Sequence, residues 1–537
     1  MTDIIPVLVS LGLVSLLAYL LRASWNPKTQ SPEPPSIPSQ IPPIGHLAGF
    51  VYYGLEYFRL QSARTALPAF TMDMFFNKVY VIRSPRLVSA VRRSHRTLSF
   101  DPLVTRTAEC VGGISGCGLD RIREKASQGQ GLGHHTVVAL RPTLLGKGLD
   151  QMNEIMVSCL QSSVQELRPH RGRVDLYGWC RLAMTIASTE AVYGPLNPYS
   201  QISAREAYWL ARYPFKLFFN AAFLELTENV CTMYREVEEN LSFLMIGIAP
   251  WLVARKAWKG RQHLAQAFLQ YYQSGGHLNA SELAYARWQS QNEAGAALED
   301  IARLEVVMGL GLLSNTVPTS FWVIFDIFSR PKLVQEIRDE ICGKVLSISP
   351  DGVYTVDLAD VQERCSLLLA SFQETLRIRS NSAQFRMVYE DTMLDDSCLV
   401  KAGSIIVMPA AVINRDESVW GPTPDDFNPQ QFLAPGVKRH KASAFMSFGT
   451  SPHICAGRHF ATGEILALIT MLILQFDISP VGDGWIEPAA NVKAVAASLS
   501  PPVGQTPVIF SERQELKGVK WDFKVTPGKG RYSLVTG

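Results

Sequence analysis

The sequence predicts a mainly α protein with a minor β region. Helical hydrophobic spacing dominates from about residue 150 to 380. Two short runs, KVYVIRS (78–84) and SIIVMPA (404–410), are rich in β-branched residues and bounded by turn formers, as strands are. No internal repeat, low-complexity tract or composition shift follows the first 46 residues, so residues 47–537 read as one folded body.

Ahead of that body lie two segments of different character. Ile4 to Leu21, IIPVLVSLGLVSLLAYLL, carries no charge. As a helix it would be roughly 27 Å long, most of a bilayer core. Only Asp3 precedes it, whereas Arg22 and Lys28 follow, so residues 1–22 read as a membrane anchor with the body on the cytosolic side. A cleaved signal peptide is the competing reading, but a basic leading region and a small-residue cleavage site are missing. On the cytosolic side the sequons at Asn240 and Asn279 would stay unmodified. Residues 23–46 hold six prolines between positions 32 and 43, a semi-rigid strut or else a disordered linker.

Composition narrows the function. Charged residues are 18% of the chain, below the roughly 25% usual for soluble domains. The net charge of +3 comes with no basic stripe, which argues against nucleic acid as a partner. Nine scattered cysteines without a C-x-x-C pair fit a reducing compartment, eight of them as small buried apolar residues.

Two helices stand out in the body. Leu298 to Phe328 is apolar nearly all round and should cross the core. Within it Pro318 leaves the Ser314 carbonyl without its helical partner, so the helix should distort near Ser314, Asn315 and Thr316. Such a kink is as easily structural as functional. In Ser366 to Ser380, Glu374 and Arg377 are three apart on an otherwise apolar helix, which suggests a buried pair.

The ninth cysteine is the odd one. Cys455 sits in SFGTSPHICAGRHFA (447–461), between Gly449 and Gly457 and just before a helix from about Phe460 to Leu474. The N–H groups opening that helix favour a thiolate. A lone thiolate on a loop suits one axial bond to haem iron; a buried structural thiol and a nucleophile needing a His base are the alternatives.

With these residues in view, the chain resembles the cytochrome P450 superfamily over nearly its whole length. The resemblance is carried by the anchor and strut ending in PPIGH, the E-x-x-R pair Glu374 and Arg377, the meander FNPQQF (427–432) and the cysteine loop FGTSPHICAG (448–457). It implies the cytochrome P450 fold preceded by one N-terminal transmembrane helix. It also implies haem b, with Cys455 as the axial ligand to the iron, Phe448 beside the sulfur, and His453 and Arg386 on the haem propionates. Glu374 and Arg377 would be structural. Ser314, Asn315 and Thr316 would lie over the distal face of the haem as the catalytic candidates.

Four departures from the family pattern are visible. Ser451 replaces the second glycine of the cysteine loop, and Gln431 replaces the meander arginine. The usual W-x-x-x-R is missing after residue 130, where His135 and Arg141 are the replacements on offer. The distal helix has Ser314 and Asn315 where the family has an acid and a threonine. NTVPTSFW (315–322) is similar to the subgroup of sterol 7α- and 12α-hydroxylases and prostacyclin synthase, which holds both monooxygenases and an isomerase. Asn315 could therefore orient a water for proton relay or hydrogen-bond a substrate peroxide.

The resemblance thus implies a haem-thiolate monooxygenase of the fungal microsomal type, oxidising an apolar small molecule with O2 and NADPH-derived electrons. Its partners would be NADPH-cytochrome P450 reductase and the endoplasmic reticulum membrane, with a single-pass anchor and a cytosolic catalytic domain. Fungal relatives of this kind tailor secondary metabolites such as terpenoids. Pocket walls are expected at VGGISG (111–116), YPFKLFFNAAF (213–223) and VAASLSPP (495–502), and KRHK (438–441) is either a reductase-docking run or a solvated turn. A haem-thiolate isomerase or dehydratase needing no reductase is the alternative; a non-enzymatic haem sensor or carrier is a third reading.

Overall fold

The computed structural model describes residues 32–39, 45–74, 77–124, 131–168, 172–199, 235–238, 240–247, 249–436, 441–529 and 531–536. The anchor at 1–22 and the expected wall at 213–223 lie outside the described residues. In chain order the elements that place the site begin with strands β1 (Ala69–Met74), β2 (Asn77–Ile82) and β3 (Leu98–Ser99). Helices α1 (Leu132–Thr143), α2 (Gly146–Gln165), α3 (Leu176–Tyr193), α4 (Arg255–Gln273), α5 (Leu298–Leu313), α6 (Thr316–Phe328) and α7 (Ser366–Arg379) follow. Strands β4 (Ala383–Val388) and β5 (Ile405–Pro409) and helix α8 (Arg458–Gln475) complete the set.

Both expected strands form, as β2 and β5. They pair in parallel, Ile405 opposite Val79, inside a five-stranded sheet ordered β1-β2-β5-β4-β3. Strand β4 runs antiparallel to β5 with Arg386 opposite Ile406, which fixes the position of that arginine.

The described part of the proline-rich segment is neither a free strut nor a loose linker. Pro35 O accepts the Thr71 N–H at 2.8 Å, Ile37 N–H returns to Thr71 O at 3.0 Å, and Pro34 O accepts the Thr71 hydroxyl at 2.6 Å. Proline lacks a donor but keeps its carbonyl, so this segment can run along the edge of β1. His46, between Tyr57 Oη at 3.0 Å and Ile37 O at 3.1 Å, pins its end.

Helices α5 and α6 form the long core crossing expected from 298 to 328. By length and composition that stretch is also apolar enough to cross a membrane, but 72% of its most apolar window is buried within the protein. A two-residue turn at Ser314–Asn315 divides it. The cause is Pro318, and hydroxyls around the turn bond its neighbouring carbonyls: Thr316 donates to Leu312 O at 3.0 Å, Thr319 to Asn315 O at 2.6 Å and Ser320 to Thr316 O at 2.8 Å.

Helix α8 is buried along almost its whole length and packs on α2 and α6. Its apolar run therefore anchors the cysteine loop to the centre of the protein. The described cysteines are all free, but Cys117 and Cys342 are exposed, so the expectation of eight buried thiols is too broad.

Candidate haem site and its relatives

Helix α7 holds the first part of the site. Arg377 Nε and Nη2 donate to the two carboxylate oxygens of Glu374 at 2.8 and 2.7 Å, and neither residue has any exposed surface. Two buried charges cost several kcal/mol unless every remaining lone pair and N–H is used. Here they are used: Arg377 also donates to the carbonyls of Asn414, Pro424 and Asp426, and Glu374 accepts the Asn428 N–H at 2.7 Å. The pair thereby ties α7 to the meander.

Asn414 extends this network to the cysteine loop. Its Oδ1 accepts the Met446 N–H at 2.8 Å, and its Nδ2 donates to Arg377 O and Ser447 Oγ, each at 3.3 Å. Sequence reasoning missed it, although a lone asparagine ending the apolar run AAVIN was the available signal.

The meander departure at Gln431 is met by Lys441. Its ammonium donates to Gln431 Oε1 at 2.8 Å and lies 4.2 Å from the centre of the Trp420 ring, over which Arg377 also stacks at 4.9 Å. A second cation is thus recruited beside the E-x-x-R pair. The same contacts turn Lys441 inward, away from any docking role; residues 438–440 of the KRHK run lie outside the described residues.

The loop itself closes through Cys455 N–H to Phe448 O at 2.9 Å and His453 N–H to Thr450 O at 2.9 Å. Gly449 has φ +80°, and a Cβ there would sit 2.9 Å from His453 O, so glycine is required. Ser451 leaves this closure intact. The Phe448 ring packs 6.4 Å from that of Phe372 on α7.

The Cys455 side chain is exposed, just before the start of α8. Burial pushes its thiol pKa up, against the pull of the Gly457 and Arg458 N–H groups and the Arg458 charge. The helix-start donors expected to favour a thiolate are therefore present, and burial opposes them.

Around the loop sits an uncompensated positive cluster. Arg386 is 3% exposed and donates to Phe385 O at 2.7 Å and Thr450 Oγ1 at 3.3 Å, with no carboxylate partner among the described residues. Burial alone brings its pKa down to about 10. His453 is held down to about 4 by burial first, then by the charges of Arg386, Arg141, His134 and His95. Arg141 and His134 are exposed and act on His453 only through their charge, while His135 lines a cleft with Arg121 and Asp300. Arg386, a buried cation with no counter-charge among the described residues, calls for an anion, and the propionates of a haem would supply one.

On the other side, α5 crosses the core but keeps an open stripe. Gly311 is exposed and Met308 and Asn315 are half-buried, while Ser314 and Thr316 are buried. Of the three distal candidates, only Asn315 reaches open space. Its Oδ1 is already engaged, accepting the Ser498 N–H at 2.8 Å. That bond places the expected wall at 495–502 against the distal turn.

Comparison with known proteins decides the identity of this arrangement. The family model for cytochrome P450 matches residues 68–503. The chain belongs to the cytochrome P450 family. It is 40% identical, over the full length of both chains, to cytochrome P450 monooxygenase nodJ of Hypoxylon pulicicidum. It is 27% identical to a cytochrome P450 monooxygenase of Gibberella zeae, covering 89% of this chain and 88% of that one. Against cytochrome P450 monooxygenase poxD of Penicillium oxalicum the identity is 23%, over 86% and 90%. The protein is therefore a haem-binding oxidoreductase of the P450 monooxygenase family. The donor set fits the group: Cys455 would hold the iron, and Arg386, His453, Arg141 and His134 the propionates.

Proposed function

We propose that this protein is a haem-thiolate monooxygenase that hydroxylates or otherwise oxidises an apolar small molecule in fungal secondary metabolism, of terpenoid-like type. Electrons come from NADPH through cytochrome P450 reductase. The uncharged stretch Ile4 to Leu21 holds the enzyme to the endoplasmic reticulum membrane as a single-pass anchor, with residues 47–537 in the cytosol. The observation that carries the reading is the exposed Cys455 on a loop closed onto Phe448 O, beside the buried Arg386 that has no carboxylate partner among the described residues. The full-length similarity to a fungal monooxygenase supports it.

Bound haem would supply the iron at which dioxygen is reduced and split. The chain's own residues do the rest. Cys455 would hold the metal from a loop that Gly449 and the Asn414 bridge keep in place. Asn315 spends its carbonyl on Ser498 and keeps its amide N–H groups for a water or a substrate oxygen. Thr316 is committed to Leu312 O and shapes the turn.

The test is turnover of candidate host metabolites by the membrane-bound enzyme under heavy-isotope dioxygen, with and without NADPH and reductase, read by mass spectrometry. Heavy oxygen in the product, only with both, is the expected result. Product of unchanged mass formed without either would replace this reading with an isomerase or dehydratase.

A further inference from the structure

The residues that match the family model end at 503, and the chain beyond them returns to the helix that follows the cysteine loop. Lys520–Lys524 first pairs in parallel with the strand Val353–Asp357. The chain then touches three helices of the site in turn. Gly528 N–H donates to Asp150 Oδ2 on α2 at 2.7 Å, Tyr532 N–H to His459 Nδ1 on α8 at 3.1 Å, and Val535 N–H to Gln373 Oε1 on α7 at 2.8 Å. Tyr532, Leu534 and Val535 are buried. The Tyr532 ring lies against α8 at Gly463, one turn beyond His459, where a Cβ would stand 3.5 Å from Tyr532 Cε2. Gly528, Tyr532 and Val535 thus strap the first turn of α8 to its neighbours.

That turn is the one whose N–H groups reach the sulfur. The first N–H groups of a helix have no partner within it, and the N-cap residue here, Gly457, has no side chain to bond them. The Gly457 and Arg458 N–H groups bond Cys455 instead. Their aim depends on how the turn is held. His459 is buried, and burial first, then the Arg458 and Arg531 charges, hold its pKa down to about 4. Its ring is therefore neutral, which leaves Nδ1 able to accept. Gln373, the acceptor at the other end of the strap, is the buried neighbour of Glu374.

We propose that His459 is a positioning residue for the Cys455 thiolate: the bond from Tyr532 to its ring fixes the first turn of α8, and with it the N–H groups that bond the sulfur. Such N–H groups draw charge from a thiolate and set how strongly it donates to iron. This role rests on Cys455 being the haem ligand and adds what tunes that ligand.

Four full-length holoproteins test it: wild type, His459→Leu, which has no acceptor, His459→Asn, which returns one near the place of Nδ1, and Gln373→Met. The last cuts the strap at its other end without altering α8, and provides the test if His459→Leu fails to fold. The readouts are the spectrum of the reduced CO complex, the haem reduction potential and the denaturation temperature. In His459→Leu the ratio of thiol-type to thiolate-type band should rise about tenfold, the worth of one hydrogen bond, and the potential should become more negative. Gln373→Met should move both in the same direction, and His459→Asn should restore both. A role confined to stability would lower the denaturation temperature and leave band and potential at their wild-type values. That result in folded His459→Leu or Gln373→Met, or a shift that His459→Asn does not reverse, would overturn the proposal. A wild type without the thiolate-type band would overturn the Cys455 assignment and this role together.

Discussion

The side-chain carbonyl of Asn315 accepts the backbone N–H of Ser498 at 2.8 Å, joining the distal turn to a segment 183 residues away. Ser498 O in turn accepts the Asn381 N–H at 2.7 Å, and Trp322 Nε1 donates to Ser500 O at 2.8 Å. One asparagine oxygen therefore helps position a wall of the pocket, while the amide remains for chemistry.

These two roles separate by substitution. Asn315→Ala loses both and orphans the Ser498 N–H, at a cost of about 1–3 kcal/mol. Asn315→Asp keeps the acceptor and loses the amide donors. Haem content should hold in both variants. Weaker substrate binding is expected in the alanine variant alone, and wasted electrons, measured as peroxide, in both. Full coupling in Asn315→Asp would remove the amide from the mechanism.

Breaking the buried pair should be far more severe. Glu374→Gln leaves the buried Arg377 charge uncompensated, a loss of about 3–5 kcal/mol, and Arg377→Lys keeps the charge but cannot reproduce the bidentate contact together with the three carbonyl bonds. Neither variant should accumulate as haem-loaded protein, measured as the haem-to-protein absorbance ratio. Normal loading in Arg377→Lys would mean that the bidentate contact and the three carbonyl bonds are dispensable.

How much of this was legible in the sequence depended on distance along the chain. Glu374 and Arg377 share one helical turn, so spacing alone suggested their pair, whereas Cys455, Phe448 and His453 share one short loop whose roles came from the family resemblance. Both strands were legible from β-branched runs, and the break at Ser314–Asn315 from Pro318. The partners of Asn315 and Gln431 were not, because Ser498 and Lys441 reach them only through tertiary packing. The proline-rich segment misled for a different reason: its composition describes chain stiffness, but its carbonyls were free to pair with Thr71.

Lys441 offers a test of how the missing meander arginine is replaced. Burial pushes its pKa down first, the Arg377 charge adds to this, and Glu374 opposes both. Lys441→Met keeps the stem but loses the contact with Trp420 and the bond to Gln431, a loss of about 1–2 kcal/mol. Lys441→Arg should restore most of it. Denaturation midpoints that match in wild type and Lys441→Met would show that the ammonium contributes nothing to the meander.

Glu464 on α8 gives the stability of the protein a pH dependence. Its carboxyl is fully buried, Oε1 accepts the Ser188 hydroxyl, and Oε2 has no partner among the described residues. Burial pushes its pKa up to about 8, against the pull of Ser188. The folded protein therefore keeps a proton there that the unfolded chain releases above about pH 4.5. This residue's contribution is complete below that pH and is lost as pH rises through about 8, by roughly 5 kcal/mol at most. Glu464→Gln cannot ionise and should lack this component. The stability difference between variant and wild type should then grow in the variant's favour from about pH 6 to about pH 9, as read by denaturation midpoints in each buffer. A difference that stays flat across that range would mean that Glu464 carries an ordinary carboxylate pKa and that water reaches Oε2.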